Sequence, residues 1–579
     1  MPQPDDAPAA ANIATMRVTL TLIGGFAGLS AWLLVDVLPD VITNGHALLF
    51  LAAALGGVFV LLLALTGPVP LRRTLPVALG VGLSAGALLW LSALSFDEIG
   101  SFMTAFHGFA AFALLLVLVT PFAAAGLRGG AGWRDYPQLF DLSWTIMVQM
   151  FAALLFAGMA WALLFLSGAV LEIVGIEVIE RLTREGWFSL IFSGAIFGLS
   201  LAVVQELRDY LSPRLVLRLL RLLVPAVLVV VAVFLLALPF RGISGLVGEL
   251  SAAATLLAIS LFSILLIAVS VERNAQGEIT ARWMRVSVMG LACALPLLAG
   301  LSVYAIGLRV AQYGLTPPRV IAGSVALVVG AYALCYAVAL LRRNGWTVQI
   351  RKANIELAIM VMALCVLWLT PVISPERMAV RNQVARAEAG VPVVGLPLYE
   401  MAHDWGRPGR AGIERLRASG GAALLARIAA AEAADNRWAF ARDEGNFATY
   451  QDRAAFAAKV TVLPGNTPLD PDVLHGVEPI TLSLWSRECD GPEGCLLIDG
   501  PFAAQGEDRQ SLLVSVEQGR METLVWSQSG TGSVHALGND RLRWLSSETV
   551  DALRRGDYTF GPSKRTVLHV DGIEIFPDN

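Results

Sequence analysis

"HALLFLAAALGGVFVLLLALTGPVPLRR", residues 46–73, decides the fold class. Residues 46–66 contain no Asp, Glu, Lys or Arg, and a helix of about 20 such residues is long enough to cross the hydrocarbon core of a bilayer. Its backbone amides are satisfied within the helix, so lipid is an acceptable surround. Gly67, Pro68 and Pro70 then break the run, and Arg72 and Arg73 follow at once. A basic pair directly behind a span marks the cytoplasmic side, where short loops retain Lys and Arg.

The alternation repeats along the chain. Eleven apolar runs, bounded by charges or turn formers, lie near 18–37, 46–66, 75–95, 103–125, 143–169, 187–206, 219–240, 250–271, 285–308, 319–341 and 354–373. The tail of the fifth, "LEIVGIEVIERLTREGW" (171–187), turns amphipathic, as a segment lying along the interface does. Of the 579 residues, 56% are hydrophobic and 15% charged, against roughly a quarter charged in soluble domains. The expected fold is mostly α, a polytopic helical membrane bundle of about eleven spans followed by a C-terminal soluble α+β domain.

Charge divides the chain. Residues 1–373 carry 21 Lys/Arg and 18 Asp/Glu, whereas 374–579 carry 21 and 28, a net charge of −7. An acidic region of this kind argues against nucleic acid as a partner, because phosphate contacts need surplus Lys and Arg. The expected organisation is a polar tail (1–17), a transmembrane helical domain (18–373), an amphipathic connector with further helices (374–440) and a β-rich extracytoplasmic domain (441–579). The tail carries Asp5 and Asp6 instead of a basic run, so the first apolar segment is expected to remain as a span.

With the N-terminus inside, the inner segments hold 16 basic residues, among them Arg72, Arg73, Arg128, Arg342, Arg343 and Lys352. The outer loops hold 5: Arg181, Arg184, Arg241, Arg309 and Arg319. That bias orients the bundle, and an odd number of spans puts the C-terminal domain outside the cytoplasm. The partners are then the lipid bilayer and an unidentified periplasmic ligand or protein. In an oxidising compartment, Cys489 and Cys495, separated by Asp490, Gly491, Pro492 and Gly494 among others, are expected to form a disulfide. No further Cys in that domain completes a metal site. Cys293, Cys335 and Cys365 fall inside spans and read as small buried apolar residues.

Ionisable residues deep in a membrane usually mark ion paths or substrate sites. Asp141, Glu206, Glu249 and Glu356 all lie near span ends. His107 and Gln149 lie further in and are the candidates for buried polar contacts, read as interhelical hydrogen bonds rather than transport residues. Pro225 and Pro296 kink their spans without identifying a transporter, and no internal repeat is evident.

Between the ninth and tenth runs, "LRVAQYGLTPPRVIAG" (308–323) reads as a tight helical hairpin. Gly314 ends one helix, Thr316 caps the next, Pro317 and Pro318 take its first positions, and Tyr313 and Arg319 sit at the interface. Together with residues 219–245, "SPERMAVRNQVARAEAG" (374–390) and "DWGRPGRAGIERL" (404–416), this stretch resembles a large bacterial family of multi-pass membrane proteins, the domain-of-unknown-function family 4153. The similarity spans roughly residues 135–420 and includes Trp405, Gly406, Arg407, Gly409 and Arg410; Pro408 departs from the family pattern. The resemblance implies an integral membrane protein and brings no activity, substrate or cofactor.

After the last run, 375–390 reads as an amphipathic connector and 412–442 as helical. Short strands are expected at "ITLSLW" (480–485), "CLLIDG", "SLLVSVEQ", "METLVWSQ", "SVHALG" and "TVLHVDGIEIF", with a hairpin turning at Gln518–Arg520. "SQSGTGS" (527–533) lacks the Lys of a phosphate loop and reads as a hairpin loop. His403 and Asp404 are adjacent, while His475, His535 and His569 are scattered, and no catalytic, cofactor or metal residue is assigned. Three functions are compatible with this pattern. The leading one is a non-enzymatic cell-envelope protein with an extracytoplasmic binding or sensing domain. The others are a permease for a neutral or amphiphilic substrate and a lipid-linked glycosyl transferase using the outer-face acids Asp36, Asp40, Asp97 and Glu98.

Overall fold

The computed structural model describes residues 6–440 apart from 68, 130–131, 208–212, 248–251, 272–280, 343–344 and 392. Beyond 440 it describes a set of segments, chiefly 456–463, 467–474, 494–499, 509–515, 521–526, 532–535, 547–559, 568–570 and 573–575. The chain forms two compact units, Met1–Ile428 and Ala429–Asn579.

The first unit is helical. Its long helices are α1 (Asp6–Trp32), α2 (Gly45–Leu65), α3 (Leu71–Ala93), α4 (His107–Arg128), α5 (Tyr136–Ile173), α6 (Gly186–Glu206), α7 (Pro213–Val247), α8 (Ala252–Val271), α9 (Arg282–Tyr313), α10 (Pro317–Leu341) and α11 (Trp346–Trp368). A short helix, Val178–Arg184, follows α5 where the amphipathic segment is expected.

Ten membrane-spanning candidates are found among the described residues, one in each of α1–α10. The sequence leads to eleven, and the difference is α11. This helix begins at Trp346 and so takes in Arg351, Lys352 and Glu356, too many charges for an apolar span. It nonetheless runs the length of the unit. Near its start Arg351 donates to the carbonyl of Val271, the last residue of α8 (3.0 Å), and Asn354 donates to the Tyr136 hydroxyl at the start of α5 (3.2 Å). At its far end the Trp368 ring lies 6.4 Å from that of His107, the first residue of α4. The rise from 351 to 368 is about 26 Å at 1.5 Å per residue, close to the thickness of a hydrocarbon core.

Two large apolar cores form, and α11 contributes to both. Leu20, Leu61, Leu89, Leu115, Leu201, Cys365 and Leu369 belong to one, centred on α1–α4 and α6. Val224, Leu266, Leu291, Val329 and Ile350 belong to the other, built from α7–α10. Of the three span cysteines, Cys365 is buried, Cys335 is half-buried and Cys293 is exposed. The expectation of burial fails at Cys293, which lies on a face of α9 that its neighbours leave uncovered.

The closest helix pair is α1 against α6. A Cβ added at Gly24 or Gly28 would strike the carbonyl of Gly194 or Leu190, and one at Gly198 would strike that of Leu20. Two small-xxx-small pairs, Gly24/Gly28 and Gly194/Gly198, thus let the backbones touch, which is how membrane helices gain packing without a hydrophobic drive. Arg17 and Glu206 fasten one end of this pair with bonds of 2.6 and 2.7 Å.

Three further helices follow α11 in the unit: α12 (Pro375–Glu388), α13 (Leu398–His403) and α14 (Gly406–Ser419). Helix α15 (Ala422–Ala433) begins in this unit and ends in the second. The second unit holds a six-stranded sheet of order β2-β1-β3-β4-β5-β6, where β1 is Val460–Leu463, β2 Thr467–Pro468, β3 Cys495–Asp499, β4 Arg509–Ser515, β5 Met521–Trp526 and β6 Gly532–His535. Only β1 and β3 pair in parallel; the other neighbours are antiparallel. A separate hairpin joins β7 (Leu568–Val570) to β8 (Ile573–Ile575), and helix α16 is Ser547–Arg555.

The strand expected at 480–485 is a correction: Leu482, Trp485 and Ser486 are helical. Leu482, Trp485 and Cys489 are all buried, and their spacing of three and four places them on one helical face. The Cys489 amide donates to the Trp485 carbonyl at 2.8 Å. Cys489 and Cys495 form a disulfide with Cα atoms 5.3 Å apart. The turn at 518–520, most of 527–533 and His475 lie outside the described residues.

Candidate binding cavity

At the end of the helical unit where α3 and α11 finish and α4 begins, α12 and α14 form a cap. Three of the segments that carry the family resemblance, 308–323, 374–390 and 404–416, meet here. Helix α12 clasps the turn between α9 and α10: Asn382 accepts from the Leu315 amide (2.7 Å), and Gln383 donates to the carbonyls of Tyr313 (3.1 Å) and Leu315 (2.8 Å). Arg386 donates to the Gln312 carbonyl at 3.1 Å. The turn suits this clasp because Gly314 holds φ +74°, and a Cβ there would lie 2.5 Å from Arg386 Cδ.

Tyr313 lies beneath two guanidinium groups, Arg309 at 5.8 Å and Arg319 at 5.5 Å, a cation–π arrangement suited to an interface. Arg319 also donates to the Gly314 carbonyl at 2.7 Å. Thr316 occupies the N-cap position of α10, but its side chain accepts no capping bond. Pro317 and Pro318 have no N–H to offer, and the Arg319 amide already bonds the Thr316 carbonyl at 2.9 Å.

Helix α14 closes the other side. The Arg407 amide donates to the Ser95 carbonyl (2.9 Å), and its guanidinium reaches Asp97 at 2.6 Å. Arg410 pairs with the same carboxylate. Trp405 is buried. Gly406, at φ +57°, and Gly409 stand where a Cβ would collide with the Ser95 and Met401 carbonyls respectively. The departure at Pro408 is accommodated because it falls in the first turn of α14, where a missing N–H costs nothing.

Between these helices lies a cavity of about 540 Å³. His107 and Glu376 meet in its wall, Nε2 to Oε1 at 3.3 Å, with side chains 5% and 4% exposed. Ser374 donates to the other carboxylate oxygen at 2.8 Å, and its hydroxyl accepts from the Arg377 amide at 3.3 Å. His107 Nδ1 faces the Ala105 carbonyl at 3.2 Å. Both ring nitrogens therefore face acceptors, and one proton has to lie between Nε2 and Oε1 for the contact to be favourable. Phe106, just before His107, is the one non-glycine residue with positive φ (52°) among the described residues. It marks the sharp junction that turns His107 inward. Arg377, Arg381, Arg407 and Arg415 also line the cavity, with Ser92, Ser95 and Thr370.

Gln149 lies at the opposite end of α4, half-buried in a second cavity of about 350 Å³ with Gln205 and Arg128. Gln205 donates to the Thr66 carbonyl at 3.2 Å. The His403 ring, next to Asp404 in the chain, packs on Tyr399, centroids 4.5 Å apart. Burial and the neighbouring Asp404 and Glu400 carboxylates push the Tyr399 hydroxyl above its ordinary range. Among the described residues no group of three or more His, Cys, Asp or Glu is placed to hold a metal ion.

The sequence points to His107 but not to Glu376, which reads there as an ordinary first-turn acid of the connector helix. The signal available is Ser374-Pro375-Glu376, an N-cap and N1 proline that fix where the carboxylate emerges. No family model, curated protein or solved structure matches this chain. The protein is a multi-pass membrane protein with a disulfide in its C-terminal region.

Proposed function

We propose that this is a cell-envelope protein of a bacterial inner membrane that binds or senses a ligand at its extracytoplasmic end. The N-terminus is cytoplasmic, and the cap, the cavity and the C-terminal unit lie outside. The cavity roofed by α12 and α14 carries this reading. It is the place where the helices converge on built polar contacts, whereas the layers below it are apolar, with Ala111, Leu115 and Leu116 of α4 buried in the core. The disulfide supports the external placement of the C-terminal unit. Membership of the domain-of-unknown-function family 4153 is part of the proposal, and it rests on the residues of 308–323, 374–390 and 404–416.

The permease reading has one observation in its favour: cavities lie at both ends of α4. The packed residues between them weigh against it. The glycosyl transferase reading loses its best acid, because Asp97 is held by Arg407 and Arg410 and is not free to act as a base.

The test is accessibility. In intact cells an Arg415→Cys variant should react with a membrane-impermeant maleimide added outside, and a periplasm-only reporter fused after Asn579 should be active. The same reporter inserted at 343–344 should be silent. Labelling of position 415 only after the inner membrane is opened would overturn the orientation and the reading with it.

A further inference from the structure

We infer that the cap cavity is a phosphate-recognition site, taking a ligand with a phosphomonoester or phosphodiester group. This deepens, and rests on, the reading of the cavity as the binding site. The argument is one of charge and geometry. Four guanidinium groups line the cavity, Arg377 and Arg381 from α12 and Arg407 and Arg415 from α14, against one carboxylate, Glu376. Glu376 is already engaged on both oxygens, by His107 and Ser374.

Among the described residues Arg407 alone of the four pairs with a carboxylate. Arg377 donates to a neutral acceptor, the Pro371 carbonyl, at 3.2 Å. Arg407 shares the single carboxylate of Asp97 with Arg410, which leaves that cluster one positive charge in excess. The guanidinium groups of Arg381 and Arg415 make no ion pair or hydrogen bond among the described residues. Two helices therefore present like charges at one-turn and two-turn intervals, 377/381 and 407/415, to the same space. Such an array is self-repulsive until an anion enters.

Guanidinium forks match phosphate oxygens in pairs, and several forks suit a group with three or four acceptor oxygens better than a carboxylate with two. The cavity, about 540 Å³, has room for a headgroup around the phosphate. In the proposed orientation it opens near the depth of lipid phosphates. A lipid headgroup and a soluble phosphate ester share this chemistry, and the test separates them.

Full-length protein is purified in an uncharged detergent and titrated with inorganic phosphate, dioctanoyl phosphatidylglycerol and dioctanoyl phosphatidylcholine, while hydrogen exchange is followed in 370–381 and 405–415. Binding of phosphate or phosphatidylglycerol should slow exchange in both segments. R381Q/R415Q, which changes two exposed side chains, should weaken binding about 100-fold, since removing one charge-assisted hydrogen bond costs roughly tenfold. Protection by phosphatidylglycerol alone assigns a lipid headgroup, and protection by phosphate as well assigns a phosphate ester from either source. No protection by any of the three, or equal protection in the double variant, overturns the proposal. Because purified protein has no sidedness, failure here leaves the maleimide result intact, and an unlabelled position 415 leaves this result intact.

Discussion

Replacing His107 by Ala should unlatch the cap. The pair it forms with Glu376 is buried on both sides, 5% and 4% exposed, so the substitution leaves a buried carboxyl group without its main partner. Ser374 still serves one oxygen, which puts the loss at the lower end of the range for a broken buried pair, about 3 kcal/mol. At 1.4 kcal/mol per tenfold, that raises the opening equilibrium of the cap about 100-fold. The Gln383 and Arg386 bonds to the 312–315 turn are retained, so the change should be local. Hydrogen exchange of the α12 amides in detergent should therefore accelerate about 100-fold, while α8–α9 amides change little. The double variant His107→Leu with Glu376→Leu, which removes both polar groups, should recover most of the loss. If α12 exchange in the His107→Ala protein stays within threefold of wild type, the pair is not a latch and the burial argument is wrong.

The remaining expectations concern packing and covalent structure. Gly194→Val should abolish the α1–α6 contact, since even a Cβ at that position meets the Gly24 carbonyl; the folded yield by size-exclusion fluorescence should drop severely, whereas Gly56→Ala, with open space around it, should be neutral. Gly314→Val should be destabilised twice over, by positive φ and by the Arg386 and Gln383 side chains 2.5 and 2.6 Å from the new Cβ, at a cost of about 2–3 kcal/mol or more. Shortening Arg386 to Ala in the same chain should relieve only part of the steric cost, because Gln383 still crowds the new side chain, and this is read as a partial recovery of thermal stability. Reducing the Cys489–Cys495 bridge should lower the stability of the second unit by about 2 kcal/mol, the chain-entropy value for so short a loop, and alkylation without reductant should leave both cysteines unlabelled.

Much of the architecture is one-dimensional information. The runs at 46–66 and their counterparts are apolar on every face, and a segment that can hydrogen-bond only to itself has one stable form in lipid. The same logic exposes the positive-φ turn at Gly314 and the Cys489–Cys495 bridge, because both depend on neighbours a few residues away. Where a segment's fate hangs on tertiary partners, the pattern misleads. The run at 480–485 has strand-like composition, yet Leu482 and Trp485 are drawn into a helix by a core shared with Phe456 and Leu497.

Helix α11 shows the same dependence, since Arg351 in its charged first turns is buried in the bundle and donates to the Val271 carbonyl. The candidate site lies wholly on the tertiary side of this divide. His107 and Glu376 are separated by 269 positions, and the arginines of α12 and α14 read along the chain as the solvated faces of two ordinary helices. Hydropathy records how much water a segment will give up, which decides what enters the membrane. Which helix ends come to rest beside one another is decided by packing between distant segments, and that is what turns these side chains into a cavity.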